Sequence, residues 1–246
     1  KLIISEELIH DKSIVHCDNL KELLGKFASR FYSYASKELT TFCATGTNGK
    51  TTSVETYANI CKGLGKQCGY ISTIGKSING KVVDGPSHLT TPDPISLNQS
   101  FSEMLMNGAT HAAFEASSHG LDQGRLSGIS IDYAVLTSFS QDHLDYHKSI
   151  EEYGNAKRIL FKELKPRHSF IQIDSEFGLN LYEELVEKKA EVFSVSLEKQ
   201  SDFSASFSKT DDSLEVSLKS PYGKTEFNLK TVSRYIASNV ICSIAA

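Results

Sequence analysis

Apolar and polar positions recur along this chain in two rhythms, one near 3.6 residues and one of two. Leu20, Leu23, Leu24, Phe27 and Phe31 stand at helical spacing and predict a short helix within 18–35. Residues 39–45 are β-rich and run into the loop Gly46-Thr47-Asn48-Gly49. Val54, Tyr57, Ala58, Cys61 and Leu64 then return to helical period, with Gly65 placed to close the helix. Residues 67–74 read as a strand. Asn79-Gly80, at the centre of 76–83, predicts a hairpin, because the favoured two-residue turn needs positive φ at both positions. Three prolines make 86–94 a loop.

Further on, Leu97, Phe101, Met104 and Leu105 mark a helix, and 111–116 and 133–139 are apolar strands. Residues 153–164 (helix), 169–173 (strand), 177–189 (helix) and 191–195 (strand) continue the alternation. Strands and helices of these lengths predict an α/β fold, a mostly parallel sheet flanked by helices on both faces. After Ser201 the texture changes. Residues 203–207, 214–218 and 224–229 alternate apolar with polar around the turn Pro221-Tyr222-Gly223, which predicts an antiparallel β extension near 201–230. A last helix begins at Ile236.

Composition narrows the class without naming a function. At 246 residues the chain is one large domain or slightly more, enough to bury a core unaided. Its 26 Lys and Arg against 30 Asp and Glu give a net charge of −4, which excludes a nucleic-acid scaffold or a basic membrane face as its character. No apolar run is long enough to span a bilayer, and the opening residues carry no signal-peptide core. The absent initiator Met and the abrupt end in Ser243-Ile244-Ala245-Ala246 suggest a fragment cut at both ends. Five scattered cysteines without a C-x-x-C pair read as free thiols in a reducing, cytoplasmic compartment.

Ala44-Thr45-Gly46-Thr47-Asn48-Gly49-Lys50-Thr51 fits the phosphate-loop pattern with alanine at the first glycine position. It follows a predicted strand and opens a predicted helix, so backbone N–H groups can converge on phosphate oxygens at a helix N-terminus. Lys50 can reach the β- and γ-phosphates, and Thr51 can offer its hydroxyl to Mg²⁺. The fold expected is therefore P-loop-type, and the ligand a nucleoside triphosphate.

Glu115 ends a buried strand, at the edge where open α/β sheets bind ligands, and can join Thr51 on Mg²⁺. Its plain alternative is a carboxylate exposed in a loop. His143 and His147 stand four apart with Asp142 and Asp145 nearby, and read equally as metal ligands or as structure at a helix start. Ser117-Ser118-His119-Gly120-Leu121-Asp122-Gln123-Gly124-Arg125 is better read as substrate contact than as a nucleophile and base. Arg125 suits a carboxylate or a phosphate. Lys157, taken alone, is a solvated helix lysine.

Taken in order, Thr45-Gly46-Thr47-Asn48-Gly49-Lys50-Thr51-Thr52, Thr90-Thr91-Pro92-Asp93-Pro94, Glu115 to Arg125, Asp142-His143-Leu144-Asp145-Tyr146-His147 and Tyr153-Gly154-Asn155-Ala156-Lys157 closely resemble the Mur ligases, and within them the tripeptide synthetases. The resemblance implies an ATP-dependent amide ligase. In that reaction ATP phosphorylates the γ-carboxylate of D-glutamate in UDP-MurNAc-L-Ala-D-Glu, and the amine of a diamino acid displaces the phosphate. It further implies that Gly46, Thr47, Asn48, Gly49, Lys50, Thr51 and Thr52 hold ATP. Thr51 and Glu115 would hold one Mg²⁺, and Glu115, His143 and Lys157 a second, with Lys157 carbamylated by CO₂ so that it offers oxygen. Catalysis is thereby assigned to Lys50, Glu115, His143 and Lys157.

Thr90, Thr91, Ser117, Gln123 and Arg125 match positions that hold the UDP-MurNAc-dipeptide. Asn239 matches a residue near the adenine, although the family's glycine and phenylalanine there stand as Ser233 and Tyr235. On this resemblance, 38–246 is the central ATP-binding domain and 1–37 an N-terminal remnant with a linker helix. The family's UDP-binding and C-terminal domains would lie mostly outside the sequence, so the fragment is expected to bind ATP weakly and not to turn over alone. A monomer is expected. The alternatives are another ligase of the superfamily, acting on a different muropeptide or a folate, and a non-catalytic ATP-binding module.

Overall fold

The computed structural model describes residues 3–86 and 89–246. In chain order the elements begin with β1 (Ile3–Ser5), β2 (Ile14–His16), α1 (Leu20–Phe31), α2 (Ala35–Glu38), β3 (Thr40–Thr45) and α3 (Lys50–Gly63). There follow β4 (Cys68–Ser72), β5 (Gly75–Ile78), β6 (Lys81–Asp84), α4 (Pro94–Met106), β7 (His111–Glu115), α5 (Ser118–Asp122) and β8 (Tyr133–Leu136). The remainder is α6 (Ile150–Lys162), β9 (His168–Gln172), α7 (Glu176–Glu187), β10 (Val192–Ser196), β11 (Phe203–Lys209), β12 (Leu214–Ser220), β13 (Gly223–Leu229) and α8 (Arg234–Ala245).

One eleven-stranded sheet runs β13-β12-β11-β10-β9-β8-β3-β7-β4-β5-β6. Its middle, from β10 to β4, is parallel, and β11 joins β10 in parallel over two residue pairs. Both margins are antiparallel: the expected extension β11–β12–β13, and a second formed by β4–β5–β6. The second margin contains the hairpin at Asn79-Gly80, both at positive φ.

The pleat divides the core. Phe42 and Ala44 of β3 pack with Val54 and Tyr57 of α3 and Ile241 of α8, while Cys43 joins Leu97, Phe101 and Met104 of α4 on the other face. Helices therefore cover both faces, as the parallel middle requires. The chain leaves β3 towards β4 on one side, then returns to place β8 on the other. That reversal makes β3 the switch point, with the carboxyl ends of β7, β3 and β8 side by side.

Three local outcomes differ from the sequence reading. The loop drawn through Pro94 is shorter, because Asp93 caps α4, accepting from the Ile95 and Ser96 N–H groups, and Pro94 is its first residue. Part of that loop, Ser87 and His88, lies outside the described residues. The helix at 20–31 is present, but Phe27 and Phe31 are exposed and its buried face is Gly25, Ala28 and Ser29. A Cβ at Gly25 would overlap the Ser127 backbone, so close packing selects the small side of this helix. The short elements β1, β2, α2 and α5 have no counterpart in the periodicity. Among the described residues no helix is long and apolar enough to cross a membrane.

Candidate functional site

The loop after β3 is shaped by its neighbours. Gly49 caps α3 at φ 90°, and a Cβ there would strike the side-chain amide of Asn239. Asn239 is thus packed against the phosphate loop from α8, and its carbonyl accepts from Ser243 Oγ at 2.9 Å. From the other side, Thr137 Oγ1 donates to Asn48 O at 2.6 Å, and Thr47 N donates to Ser138 O at 3.0 Å. Thr47 Oγ1 donates to Ser140 O (3.0 Å) and accepts from Tyr153 O–H (3.1 Å). Asn48 is exposed, and Thr52 is half-buried in the first turn of α3.

Two lysines converge on one carbonyl. Lys50 Nζ donates to Gly46 O at 2.9 Å and to Thr47 O at 3.0 Å, while Lys157 Nζ donates to the same Gly46 O at 3.0 Å. Lys157 also lies over the Tyr153 ring, 4.4 Å from its centroid. The solvated-lysine reading fails here, because Lys157 is 1 % exposed. The cause is local: α6 buries Tyr153, Ala156, Leu160 and Phe161, and Lys157 sits within that stripe. Burial pushes its pKa well below the ordinary lysine value, and the charge of Lys50 pushes the same way against Asp142. Burial also lowers Lys50, opposed by Glu115 and Asp142.

Glu115 is 1 % exposed, so the loop-carboxylate alternative falls too. Register places it beside Ala44, one residue short of the loop strand's end. Its Oε1 accepts from Thr51 Oγ1 at 2.8 Å and from Thr73 N at 2.9 Å. A hydroxyl and a carboxylate side by side make an oxygen donor pair suited to a hard divalent cation. Among the described residues no cluster of three His, Cys, Asp or Glu forms a metal site by itself.

His143 is half-exposed at φ 53°, with Nε2 3.6 Å from Asp142 Oδ2. His147 is buried, its Nε2 has no hydrogen-bond partner among the described residues, and burial lowers its pKa. Both rings gather around His119, at 5.1 and 5.6 Å between centroids.

A cleft of about 270 Å³ has Lys50, Thr90, Ser117, Arg125, His143 and Lys157 in its wall. Thr91 is fully buried instead. Its hydroxyl donates to Glu115 O at 3.0 Å and accepts from Ser117 N at 2.9 Å. Gln123 Oε1 accepts from Arg125 Nε and NH2 at 3.0 and 2.6 Å. Thr73, Thr137, Ser138, Ser140 and Tyr153 were not among the sequence candidates. Thr137 and Ser138 directly follow β8, where a strand beside the phosphate loop presents its last polar groups, and that position was a usable signal. A larger concavity of about 570 Å³ over Ser206, Glu215 and Glu226 has no cation in its wall.

A family model described as the Mur ligase middle domain matches residues 44–246. A Pseudomonas aeruginosa protein named UDP-N-acetylmuramoyl-L-alanyl-D-glutamate--2,6-diaminopimelate ligase is 35 % identical over 240 residues, 96 % of this chain and 48 % of that protein. A solved structure of a ligase of the same name superposes with TM-score 0.87 at 27 % identity, covering 99 % of this chain and 50 % of that one. A Mycobacterium tuberculosis folylpolyglutamate synthase, solved with ADP and AMPPCP, shares the fold at TM-score 0.72 and 16 % identity, covering 90 % and 57 %. The chain spans about half the length of the first two proteins.

Proposed function

The chain belongs to the Mur ligase family, matching its middle domain, and from that premise we propose that it forms the ATP-binding and phosphoryl-transfer centre of a ligase extending UDP-MurNAc-L-Ala-D-Glu. The names of its relatives favour 2,6-diaminopimelate as the incoming amino acid. The observation that carries the reading is the meeting of Lys50 and Lys157 at Gly46 O, beside the Thr51–Glu115 pair.

Residues 46–49 wrap the phosphates with backbone N–H groups, and Asn239 backs the loop on the side assigned to adenine. Lys50 exchanges its loop carbonyls for the β- and γ-phosphate oxygens. Thr51 and Glu115 fit Mg²⁺ as oxygen donors, and the ion when bound neutralises charge on those oxygens. Lys157 is held towards its neutral form, and a neutral amine is the form whose nitrogen adds to CO₂ and releases a proton to water, giving an anionic carbamate. So changed, it would offer oxygen, with Glu115 and His143, to a second ion. Arg125, Thr90 and Ser117 face the dipeptide substrate from the cleft wall, and Gln123 orients Arg125. Thr91 contributes by holding Ser117 and the backbone of Glu115. Held in this way, the D-glutamate γ-carboxylate meets the γ-phosphate, and the resulting acyl phosphate meets the amine.

The test is ADP release by the full-length protein. It should require both UDP-MurNAc-L-Ala-D-Glu and diaminopimelate, and Lys50→Ala should lower kcat by about a hundred-fold or more. Turnover on a UDP-MurNAc-tripeptide or a folate, with none on the dipeptide, would favour another ligase of the superfamily. No turnover with intact ATP binding would favour a binding module.

A further inference from the structure

Tyr146 does not itself line the 270 Å³ cleft, although it packs on His119, which does; its hydroxyl belongs to a directional chain of hydrogen bonds that reaches the cleft. Its O–H donates to Asp122 Oδ2 at 2.8 Å and accepts from Gln123 Nε2 at 3.2 Å. The carboxylate at one end can only accept, so it fixes the phenol proton. The phenol lone pair then faces the amide nitrogen of Gln123, and the amide oxygen is left to face Arg125. Gln123 Oε1 takes the Nε and NH2 donors of Arg125, and NH1 donates to Thr91 O at 2.6 Å. A guanidinium has five N–H groups, so two, one on each terminal nitrogen, have no partner among the described residues. That pair is the edge that grips an anion bidentately.

The Tyr146 ring is itself anchored, 4.0 Å from the His119 ring and edge-on to His147 at 4.7 Å. It therefore joins two segments 24 positions apart and conveys the loop's position to the guanidinium. We infer that Tyr146 is a positioning residue: through Gln123 it turns the free edge of Arg125 towards an anionic group of the nucleotide-sugar peptide substrate. This rests on the proposed function for the identity of that substrate.

The experiment uses the full-length protein and a double-mutant cycle with Tyr146→Phe, Gln123→Ala and both together. Tyr146→Phe keeps the ring and removes the O–H. It is expected to raise KM for UDP-MurNAc-L-Ala-D-Glu by about five-fold, with kcat and the KM for ATP changed by less than about two-fold. If Tyr146 works through Gln123, the double variant has the KM of Gln123→Ala alone. KM effects that multiply independently, or a fall in kcat at unchanged KM, would overturn the positioning role while leaving the proposed function standing. Wild-type protein inactive with this dipeptide would overturn the proposed function, and with it the substrate named here.

Discussion

In β11 and β12 the pleat sorts side chains by polarity: Ala205, Val216 and Leu218 are buried, while Ser206, Glu215 and Lys219 face out. At the carboxyl ends of β3, β7 and β8 that sorting is abandoned. Thr45, Glu115 and Thr137 are all at most 1 % exposed, and buried Lys157 stands beside them. Burying polar groups is costly unless they are paired, and here each of the four has a hydrogen bond. The two regions share one sheet but answer to different demands. The margin is arranged for burial alone, whereas the centre keeps ionisable groups buried, where they act strongly on a ligand.

The sharpest way to break this contrast is Lys157→Met in the full-length protein. Methionine keeps the unbranched stem as far as the ε position and fills the same apolar stripe, but removes the amine. Ligation should fall by about a hundred-fold or more, while the thermal midpoint holds or rises, because the cost of taking that amine out of water is gone. The pH dependence adds a second reading. Lys157 has a folded pKa below its unfolded value, so between the two the unfolded chain binds the extra proton. Stability should rise with pH across that window, up to about the ordinary lysine pKa of 10.4, and Lys157→Met should flatten the rise. A melting point that collapses in the variant would make Lys157 a structural strut and erase the distinction between centre and margin.

The sequence carried the margin more openly than the centre, for a physical reason. Alternation in 203–229 and strand–helix order across the middle are local patterns, and each emerged as an element within a few residues of its expected place. Three-residue β1 and β2 and four-residue α2 are too short to hold any period. At the centre, the phosphate loop was legible because its spacing is itself the device. The burial of Lys157 was half legible: its place on the 153–161 apolar stripe pointed inward, and its charge pointed out. The pairing of Tyr146 with Asp122 and Gln123 was not legible, since it exists only once β8 brings the following loop across α5. Groups that act by meeting across the fold leave no periodic trace.

Leu218→Ala tests the margin in turn. Leu218 is 2 % exposed in the cluster that also holds Val216, Ala205 and Phe203. Truncation should cost about 3 kcal/mol of stability, read by denaturant unfolding. At temperatures where the protein is folded, the KM for ATP should be unchanged. A shift in that KM would mean that the extension reports to the site through α8, which packs in the same cluster and carries Asn239.

Ser149→Ala has the smallest expected effect and tests the element joining the two demands. Ser149 caps α6, accepting from Glu152 N at 3.1 Å, while Glu152 Oε2 accepts from Lys148 N at 3.0 Å. Loss of the cap should cost about 1 kcal/mol. Because Lys157 lies two turns further along and is held by its own bonds to Gly46 and the Tyr153 ring, kcat should change by less than about two-fold. Fraying of a first turn is local, so amide exchange should quicken at 150–153 and stay slow at 157–161. Faster exchange through Lys157 would show instead that the buried centre depends on its helix cap, and that the polar network does not hold it alone.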